Sequence, residues 1–434
     1  MINFKKEFVC DCGKVHNALI ENMIVENNAI DKLAKVLGQY GCKKPFVVAD
    51  KNTFIAGGEK VLKNLHDNGL CYHSFIFDND VLTPDEHTAK SLEQKFVCEC
   101  DCVVGVGSGV INDLCKYLAK EKQKPYFIVA TAPSMDGYAS ATSSMEINGL
   151  KVSLPTTCAQ VIIGDTSVLK NAPMKMLVSG LGDMLAKYVS ICEWKISNVI
   201  TGEYYCPTIS SLVKNALDKC VKNAKGLLER DPVAVEAVFN GLIMGGVAMN
   251  YAGLSRPASG VEHYFSHIFD MRSLEFGYKG ELHGIQCAVA TLYTCKIYEQ
   301  IKEFTPNEKL AMDFVNNFDY SKHSENMKKF LGKSALPMIE LEQKEKKYNK
   351  IAHHKRFEII KNNWERILKI IDEIPSYNQI YKLLASINAP TSAEQIGIDM
   401  DTLYKAFYCT KDIRDKYVAS RLCWDLGIID KIML

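Results

Sequence analysis

The 434-residue sequence has no excess of charge of either sign. Its 52 lysines and arginines face 51 aspartates and glutamates, which gives a formal net charge of +1. Such a chain offers no bulk electrostatic attraction to nucleic acid or to an anionic membrane. Runs of 18 or more apolar residues are absent, which argues against a membrane-spanning helix, and the first ten residues lack the apolar core of a secretory signal. These absences argue against a protein that binds nucleic acid or spans a membrane, and they favour a cytoplasmic location.

Sixteen cysteines are spread through the chain, and the tightest clusters are the C-x-C pair at 10–12 and the "CECDC" stretch at 98–102. A secreted disulfide scaffold would be short and dense in cysteine. One intervening residue also differs from the two to four that separate the cysteines of structural zinc sites. We therefore expect buried, reduced thiols, with a redox or metal role for the clusters as the alternative.

The first third of the chain alternates strand and helix patterns. The β-branched runs at 44–50, 102–107 and 124–133 read as strands, and helical patterns follow each of the first two. Strands separated by helices predict parallel βαβ units and a doubly wound, Rossmann-like nucleotide-binding domain over 1–168. Beyond it, helical periodicity with hardly any strand pattern predicts an all-α domain over 169–434.

Two polar segments follow predicted strands, where parallel sheets bind ligands. In "GVGSGVINDLCKY", 105–117, glycines would let a diphosphate approach backbone N–H groups at a helix start. The third glycine of G-x-G-x-x-G is replaced by Val110, so the segment is equally readable as a tight turn. The second segment, "TAPSMDGYASATSSM" at 131–145, carries Asp136 and Ser140. An ordinary polar loop is its alternative interpretation.

Histidine is scarce, yet three of the ten histidines fall within 21 residues, at His263, His267 and His283. His263 and His267 share a helical face, as helix-borne metal ligands do. Asp183 lies in an apolar helical stretch, where a carboxylate needs a strong partner. Lys187, four residues on, could be that partner as a salt bridge. The residues alone leave a metal site and hydrogen-bonded core side chains equally favoured.

Together these segments resemble the sn-glycerol-1-phosphate dehydrogenases, within the iron-containing alcohol dehydrogenase and dehydroquinate synthase-like superfamily. The matching segments are "GSGVINDLCKY", "TAPSMDGYAS", "GLGDMLAKY", "ASGVEHYFSH" and "LHG", which span 105–284 in that order. The resemblance implies a dehydroquinate synthase-like fold, and it finds no motif beyond about residue 305. Ser108 departs from the third consecutive glycine that many superfamily members have.

The resemblance also assigns roles to residues. It implies metal ligands at Asp183, His263 and His283, and substrate contacts at Asp136, Asp183 and His267. It implies dinucleotide contacts at Asp50, Ser108, Gly109, Val110, Ile111, Asn112, Thr131, Ala132, Pro133, Ser134 and Ser140.

The implied activity is the interconversion of dihydroxyacetone phosphate and sn-glycerol 1-phosphate, by a homodimer that needs NAD and one divalent ion. Zinc, nickel and iron all suit the ligand set. A carboxylate at Asp50 favours NAD over NADP, which is the second choice. His267 and Asp183 are the expected catalytic residues, and Lys187 and Arg256 are candidates for the phosphate. The alternatives are a glycerol dehydrogenase, a dehydroquinate synthase-type lyase, and a non-catalytic binding homologue.

Overall fold

The computed structural model describes residues 4–79 and 81–434, which form two compact units. Unit 1 comprises Met1–Met184 and Ser211–Leu254, and unit 2 comprises Leu185–Ser210 and Ser255–Leu434. The predicted division at 168 follows the change from α/β to helical sequence and stays a prediction. Each compact unit consists of two separate segments of the chain, so it does not correspond to a single boundary.

Unit 1 is built on a six-stranded sheet in the order β3-β10-β7-β6-β4-β5, and every pairing in it is parallel. Its strands are β3 (Asn22–Glu26), β4 (Pro45–Asp50), β5 (His73–Phe77), β6 (Cys102–Gly107), β7 (Tyr126–Ala130) and β10 (Val161–Asp165). The central strands β6, β7 and β10 are buried at every position. Such runs read as continuously apolar because helices cover both faces of the sheet. The parallel α/β prediction is confirmed.

Two short hairpins accompany the sheet. The first pairs β1 (Glu7–Val9) with β2 (Val15–Asn17), and the second pairs β8 (Thr142–Ile147) with β9 (Leu150–Pro155). The second turns at Asn148 and Gly149, whose φ angles of 53° and 73° are left-handed. An Asn-Gly pair between alternating segments is a strong hairpin signal. The sequence reading took this region for loop and missed the hairpin.

The helices of unit 1 surround the sheet, and α7 and α8 continue into unit 2. They are α1 (Leu33–Gln39), α2 (Lys51–Thr53), α3 (Glu59–Asp67), α4 (Glu86–Lys95), α5 (Gly109–Glu121), α6 (Thr166–Leu169), α7 (Met174–Thr201), α8 (Pro207–Asn223) and α9 (Pro232–Ala252). By length and composition α9 could cross a membrane, but 67% of its most apolar window is buried inside the protein. A core helix has this character, so α9 does not indicate a membrane span.

Among its described residues, unit 2 has only helices as regular elements. After the second half of α7 come α10 (Val261–Phe276), α11 (His283–Lys302), α12 (Glu308–Asn316), α13 (Tyr320–Leu331), α14 (Ala335–Glu345), α15 (Lys350–Asn362), α16 (Trp364–Ile371), α17 (Tyr377–Ser386), α18 (Met400–Thr410) and α19 (Ala419–Asp425). One hydrophobic core runs from Val189 to Leu434. The region after 305 therefore completes the core around α10 and α11.

Candidate active site

The glycine-rich turn lies where β6 passes into α5, at the carboxyl edge of the sheet. A Cβ on Gly107 would lie 2.5 Å from Cβ of Ile111, so only glycine fits this position. Ser108 precedes the first turn of α5, whose unpaired N–H groups and positive dipole end suit an anion. The turn thus has the local structure that a bound phosphate requires.

Asp50 ends β4 at the same edge of the sheet. Because Val48 pairs with Gly105, Asp50 is level with Gly107 on the neighbouring strand. The chain runs from β4 outward to β5 and returns to β6 on the other side, so strand order reverses between β4 and β6. Ligands of doubly wound sheets bind at such a reversal. The Asp50 carboxylate also caps α2 by accepting from the N–H groups of Asn52 and Thr53.

A buried lysine holds the segment after β7. Nζ of Lys116, which is fully buried, donates to the carbonyls of Gly137 and Thr142 at 2.7 and 2.9 Å and to Oγ of Ser140 at 3.1 Å. The buried Asn112 amide donates to the Gly137 carbonyl and accepts from the Tyr126 hydroxyl. The side chains of Asn112 and Ser140 therefore order the loop, and their predicted contact with a dinucleotide stays a prediction.

Helix α7 presses directly against this loop. Oγ of Ser179 donates to the Ser134 carbonyl at 2.9 Å, and a Cβ on Gly180 would lie 1.8 Å from the carbonyl oxygen of Pro133. One turn on, the fully buried Asp183 accepts from the N–H of Asp136 through Oδ2 at 2.9 Å. Unit 1 thus brings together two sequence-predicted residues, Asp136 and Asp183, at the end of the predicted cofactor loop.

In unit 2 the two predicted histidine ligands face each other, with ring centroids 5.0 Å apart. Nδ1 of His263 donates to Oε1 of Glu262 at 2.8 Å. Nδ1 of His283 lies 2.8 Å from Oγ of Ser266, which itself donates to Gln286, so the histidine must be the donor. Both rings are therefore held with Nε2 as the acceptor, the tautomer that a metal-binding histidine adopts. The residues present fit a divalent ion.

The sequence reading missed Cys287, which stands one turn after His283 on α11. Its Sγ lies 3.6 Å from Nε2 of His283, and donor atoms of His263, His283 and Cys287 all lie within 4.8 Å of one another. Burial opposes ionisation of the thiol, but the nearby histidines outweigh it and lower the pKa of Cys287. The H-x3-C spacing is the signal that could have found it. The His267 ring stacks on His283 with centroids 6.3 Å apart.

Two buried carboxylates support the start of α10. Glu193 on α7 accepts from the N–H groups of Val261 and Ala419 at 2.8 and 2.7 Å. Burial, and then the charge of Glu262, raise the pKa of Glu193 to about 8. Burial likewise lowers the pKa of Lys416 to about 7. Residues this far apart in sequence give no local pattern, so sequence reasoning could not find the cluster.

One suggested phosphate-binding residue is wrong. Arg256 is 1% exposed, and its guanidinium donates to both carboxylate oxygens of Glu203, to Ser197 and to the Tyr417 carbonyl. Its positive charge is therefore paired with the Glu203 carboxylate inside unit 2 and does not face a phosphate. Lys187 is also buried, and its role with phosphate stays a prediction.

Comparison with known sequences points to one family. Residues 24–173 match the family described as iron-containing alcohol dehydrogenase. The protein named glycerol-1-phosphate dehydrogenase (NAD(P)+) from Halalkalibacterium halodurans is 28% identical over 90% of this chain and 88% of its own length. The protein of the same name from Archaeoglobus fulgidus is 31% identical over 64% of this chain and 77% of its own length.

Solved structures at lower identity share the fold. Glycerol dehydrogenase from Schizosaccharomyces pombe superposes with a TM-score of 0.62 at 16% identity, covering 95% of this chain and 89% of its own. Maleylacetate reductase from Agrobacterium tumefaciens gives 0.63 at 13% identity, covering 96% of both chains. The architecture is dehydroquinate synthase-like, as predicted. With the sequence matches, the chain belongs to the glycerol-1-phosphate dehydrogenase family of the iron-containing alcohol dehydrogenases.

Proposed function

We propose that the protein is a metal-dependent, NAD(P)-linked oxidoreductase that interconverts dihydroxyacetone phosphate and sn-glycerol 1-phosphate. The observation that supports the proposal is the hydrogen bonding of His263 and His283 through Nδ1, which makes Nε2 of each ring the nitrogen with the lone pair that a metal ligand needs. The names of the relatives supply glycerol 1-phosphate and NAD(P), and the resemblance to the family implies the sn-1 stereochemistry.

Asp183, His263 and His283 would hold one divalent ion, and zinc, nickel and iron all suit these donors. When bound, the ion supplies Lewis acidity towards the oxygen of the reacting carbon. Unit 1 keeps Asp183 in place through the N–H of Asp136. Unit 2 orients the two imidazoles through Glu262 and Ser266. Three protein ligands leave a position for substrate.

The dinucleotide would bind along the edge of the sheet where β4 and β6 end. Residues 108–112 would meet its diphosphate, residues 131–134 and Ser140 would line its path, and Asp50 would accept hydrogen bonds from the adenosine ribose. A carboxylate at that place repels a 2′-phosphate, which favours NAD. When bound, the nicotinamide supplies or accepts the hydride.

His267 and Asp136 would act on the substrate. His267 lies one helical turn from His263, is only partly buried, and has its ring stacked on His283. An imidazole so placed can donate a proton to the alcohol oxygen or take it back, since its ordinary pKa is near neutrality. The homodimer and the cytoplasmic location expected from the sequence remain parts of this proposal.

The deciding experiment is NADH oxidation with dihydroxyacetone phosphate, before and after chelation and with zinc, nickel or iron added back. Turnover that disappears on chelation and returns with a metal supports the proposal. Unphosphorylated dihydroxyacetone with NADH, and glycerol with NAD+ in the reverse direction, serve as matched substrates. Equal or better kcat/KM with them would favour a glycerol dehydrogenase, and no turnover with any metal would favour a binding homologue.

A further inference from the structure

We propose a second metal site, built for zinc, at the tip of the β1–β2 hairpin with Cys10, Cys12 and His16 as ligands. Donor atoms of these three residues lie within 4.8 Å of one another. They belong to neither the proposed active site nor the predicted cofactor edge. The site is independent of the proposed function, and its test measures the metal content of the protein rather than its turnover.

The hairpin turn brings the two thiols together. Gly13 has a φ of +84°, and its N–H donates to the Cys10 carbonyl at 2.9 Å, while the N–H of Cys10 donates to Lys14 at 3.0 Å. The chain therefore folds back within four residues, and Cys12 is held beside Cys10. This turn explains how a C-x-C pair, whose spacing alone disfavours zinc, can present two sulfurs to one ion.

His16 is oriented towards the thiols by its other ring nitrogen. Nδ1 lies 2.7 Å from the Tyr251 carbonyl, which can only accept, so Nδ1 carries the proton. Nε2 is then the acceptor, and it lies 3.3 Å from Sγ of Cys12. Zinc bonded to sulfur at about 2.3 Å and to nitrogen at about 2.0 Å in a tetrahedron places these atoms about 3.5 Å apart. The observed distance matches that arrangement.

The hairpin is short, and two of its apolar side chains are exposed. Each strand has three residues, and Val9 and Val15 are 84% and 53% exposed. Inward contacts come from Phe8 and His16, which pack on the ring of Tyr251. A two-stranded hairpin of this size is marginal in water, and a structural ion supplies folding free energy to such elements.

Thiolates with imidazole select zinc over magnesium or calcium, and a closed structural site has four ligands. The three hairpin residues supply three of these ligands.

The first measurement is elemental analysis of metal per chain. The wild-type chain is expected to hold one ion more than Cys12→Ser or His16→Asn, while His283→Ala retains the hairpin zinc. Cys71→Ser, which removes an exposed cysteine, is the matched control. Equal metal content in Cys12→Ser and Cys71→Ser would overturn the proposal, as would a Cys10–Cys12 disulfide found by mass spectrometry of the unreduced protein.

The second measurement needs no change in the hairpin. Cobalt is substituted into the Cys287→Ser chain, so that a thiolate-to-cobalt charge-transfer band cannot come from the thiol beside His283. A strong band supports the site, and its absence rejects it even if the hairpin variants fail to fold.

Discussion

Oε1 of Glu262 accepts hydrogen bonds from both Nδ1 of His263, at 2.8 Å, and the N–H of Gly260, at 2.7 Å. The residue next to a proposed metal ligand thus fixes both the ligand ring and the start of the helix that carries it. A carboxylate on Nδ1 also makes Nε2 a stronger donor to a metal. Through the hydrogen bonds of Glu262, the backbone geometry at the start of α10 therefore affects how strongly His263 would bind a metal.

Glu262→Gln should therefore weaken metal binding about 10- to 100-fold. Glutamine keeps an acceptor for Gly260 but loses the charge that strengthens Nε2. Metal dissociation constants from competition with a chelator measure the effect. Ser266→Ala should weaken metal binding similarly, through His283. Asp270 accepts from Gln286, which accepts from Ser266, so Asp270→Asn should have a smaller effect. Equal affinity in wild type and Glu262→Gln would contradict the role.

Variants of His267 and His283 should differ in which property they lose, catalysis or metal binding. His267→Asn is expected to retain the ion and to lower kcat about 100- to 10,000-fold, because it removes a group that moves a proton. His283→Ala is expected to lose the ion. Metal content and kcat measured on the same preparations check the contrast, and loss of metal in His267→Asn would reverse the two roles.

Asp50→Asn should relax the choice of cofactor. The variant retains a side-chain oxygen to cap α2, so folding is preserved, but the charge that repels a 2′-phosphate is gone. The ratio of kcat/KM for NADPH to that for NADH should rise about tenfold, which corresponds to about 1.4 kcal/mol. An unchanged ratio at unchanged stability would mean that Asp50 does not face the ribose.

Gly180→Ala should destabilise the protein by about 3 kcal/mol or more. Its Cβ would lie 1.8 Å from the Pro133 carbonyl oxygen, a backbone atom that cannot rotate away. Gly38→Ala in α1 is the matched control, since its Cβ would meet nothing within 4 Å. There alanine should stabilise the helix by about 0.5–1 kcal/mol. Denaturant midpoints compare the two, and similar values would argue against the close contact.

Glu193 should give stability a distinctive pH dependence. Between its ordinary pKa of 4.5 and its folded pKa of about 8, the folded chain holds a proton that the unfolded chain has released. Rising pH therefore favours unfolding in this window. Glu193→Gln, which imitates the neutral acid, should lack this component. Relative to the variant, wild type should lose a few kcal/mol between about pH 5 and 8; a difference independent of pH would contradict the shift.

Most of the sheet could be predicted because its strands are continuous apolar runs. The run at 102–107 matches β6, and that at 44–50 matches β4 within one residue. The nearby hairpin β8–β9 was missed because its side chains are half-buried and polar, and only Asn148 and Gly149 mark it. Local sequence predicts a strand when every position is buried and apolar. It does not predict one when only the turn residues distinguish a hairpin from a loop.

The site divides in the same way. Asp136, Asp183 and the three histidines lie in segments whose order matches a family, so the resemblance could propose them as site residues. Glu193 supports Val261 across 68 positions of sequence, and Lys116 holds a loop 21 to 26 residues away. Such contacts depend on how helices pack, and neither spacing nor composition encodes them. Arg256 was misread for this reason, since its partner Glu203 is 53 residues away.

The contacts of α7 with the loop after β7 have a consequence for variation in this sequence. Ser179, Gly180 and Asp183 meet Ser134, Pro133 and Asp136 one to one, over a single helical turn. The three atoms on the loop side belong to the backbone, so a change in α7 removes a contact, whereas a change of side chain at 134 or 136 leaves it in place. In a library that randomises both segments together, surviving clones should therefore retain Ser179, Gly180 and Asp183 while the residues at 134 and 136 vary more freely.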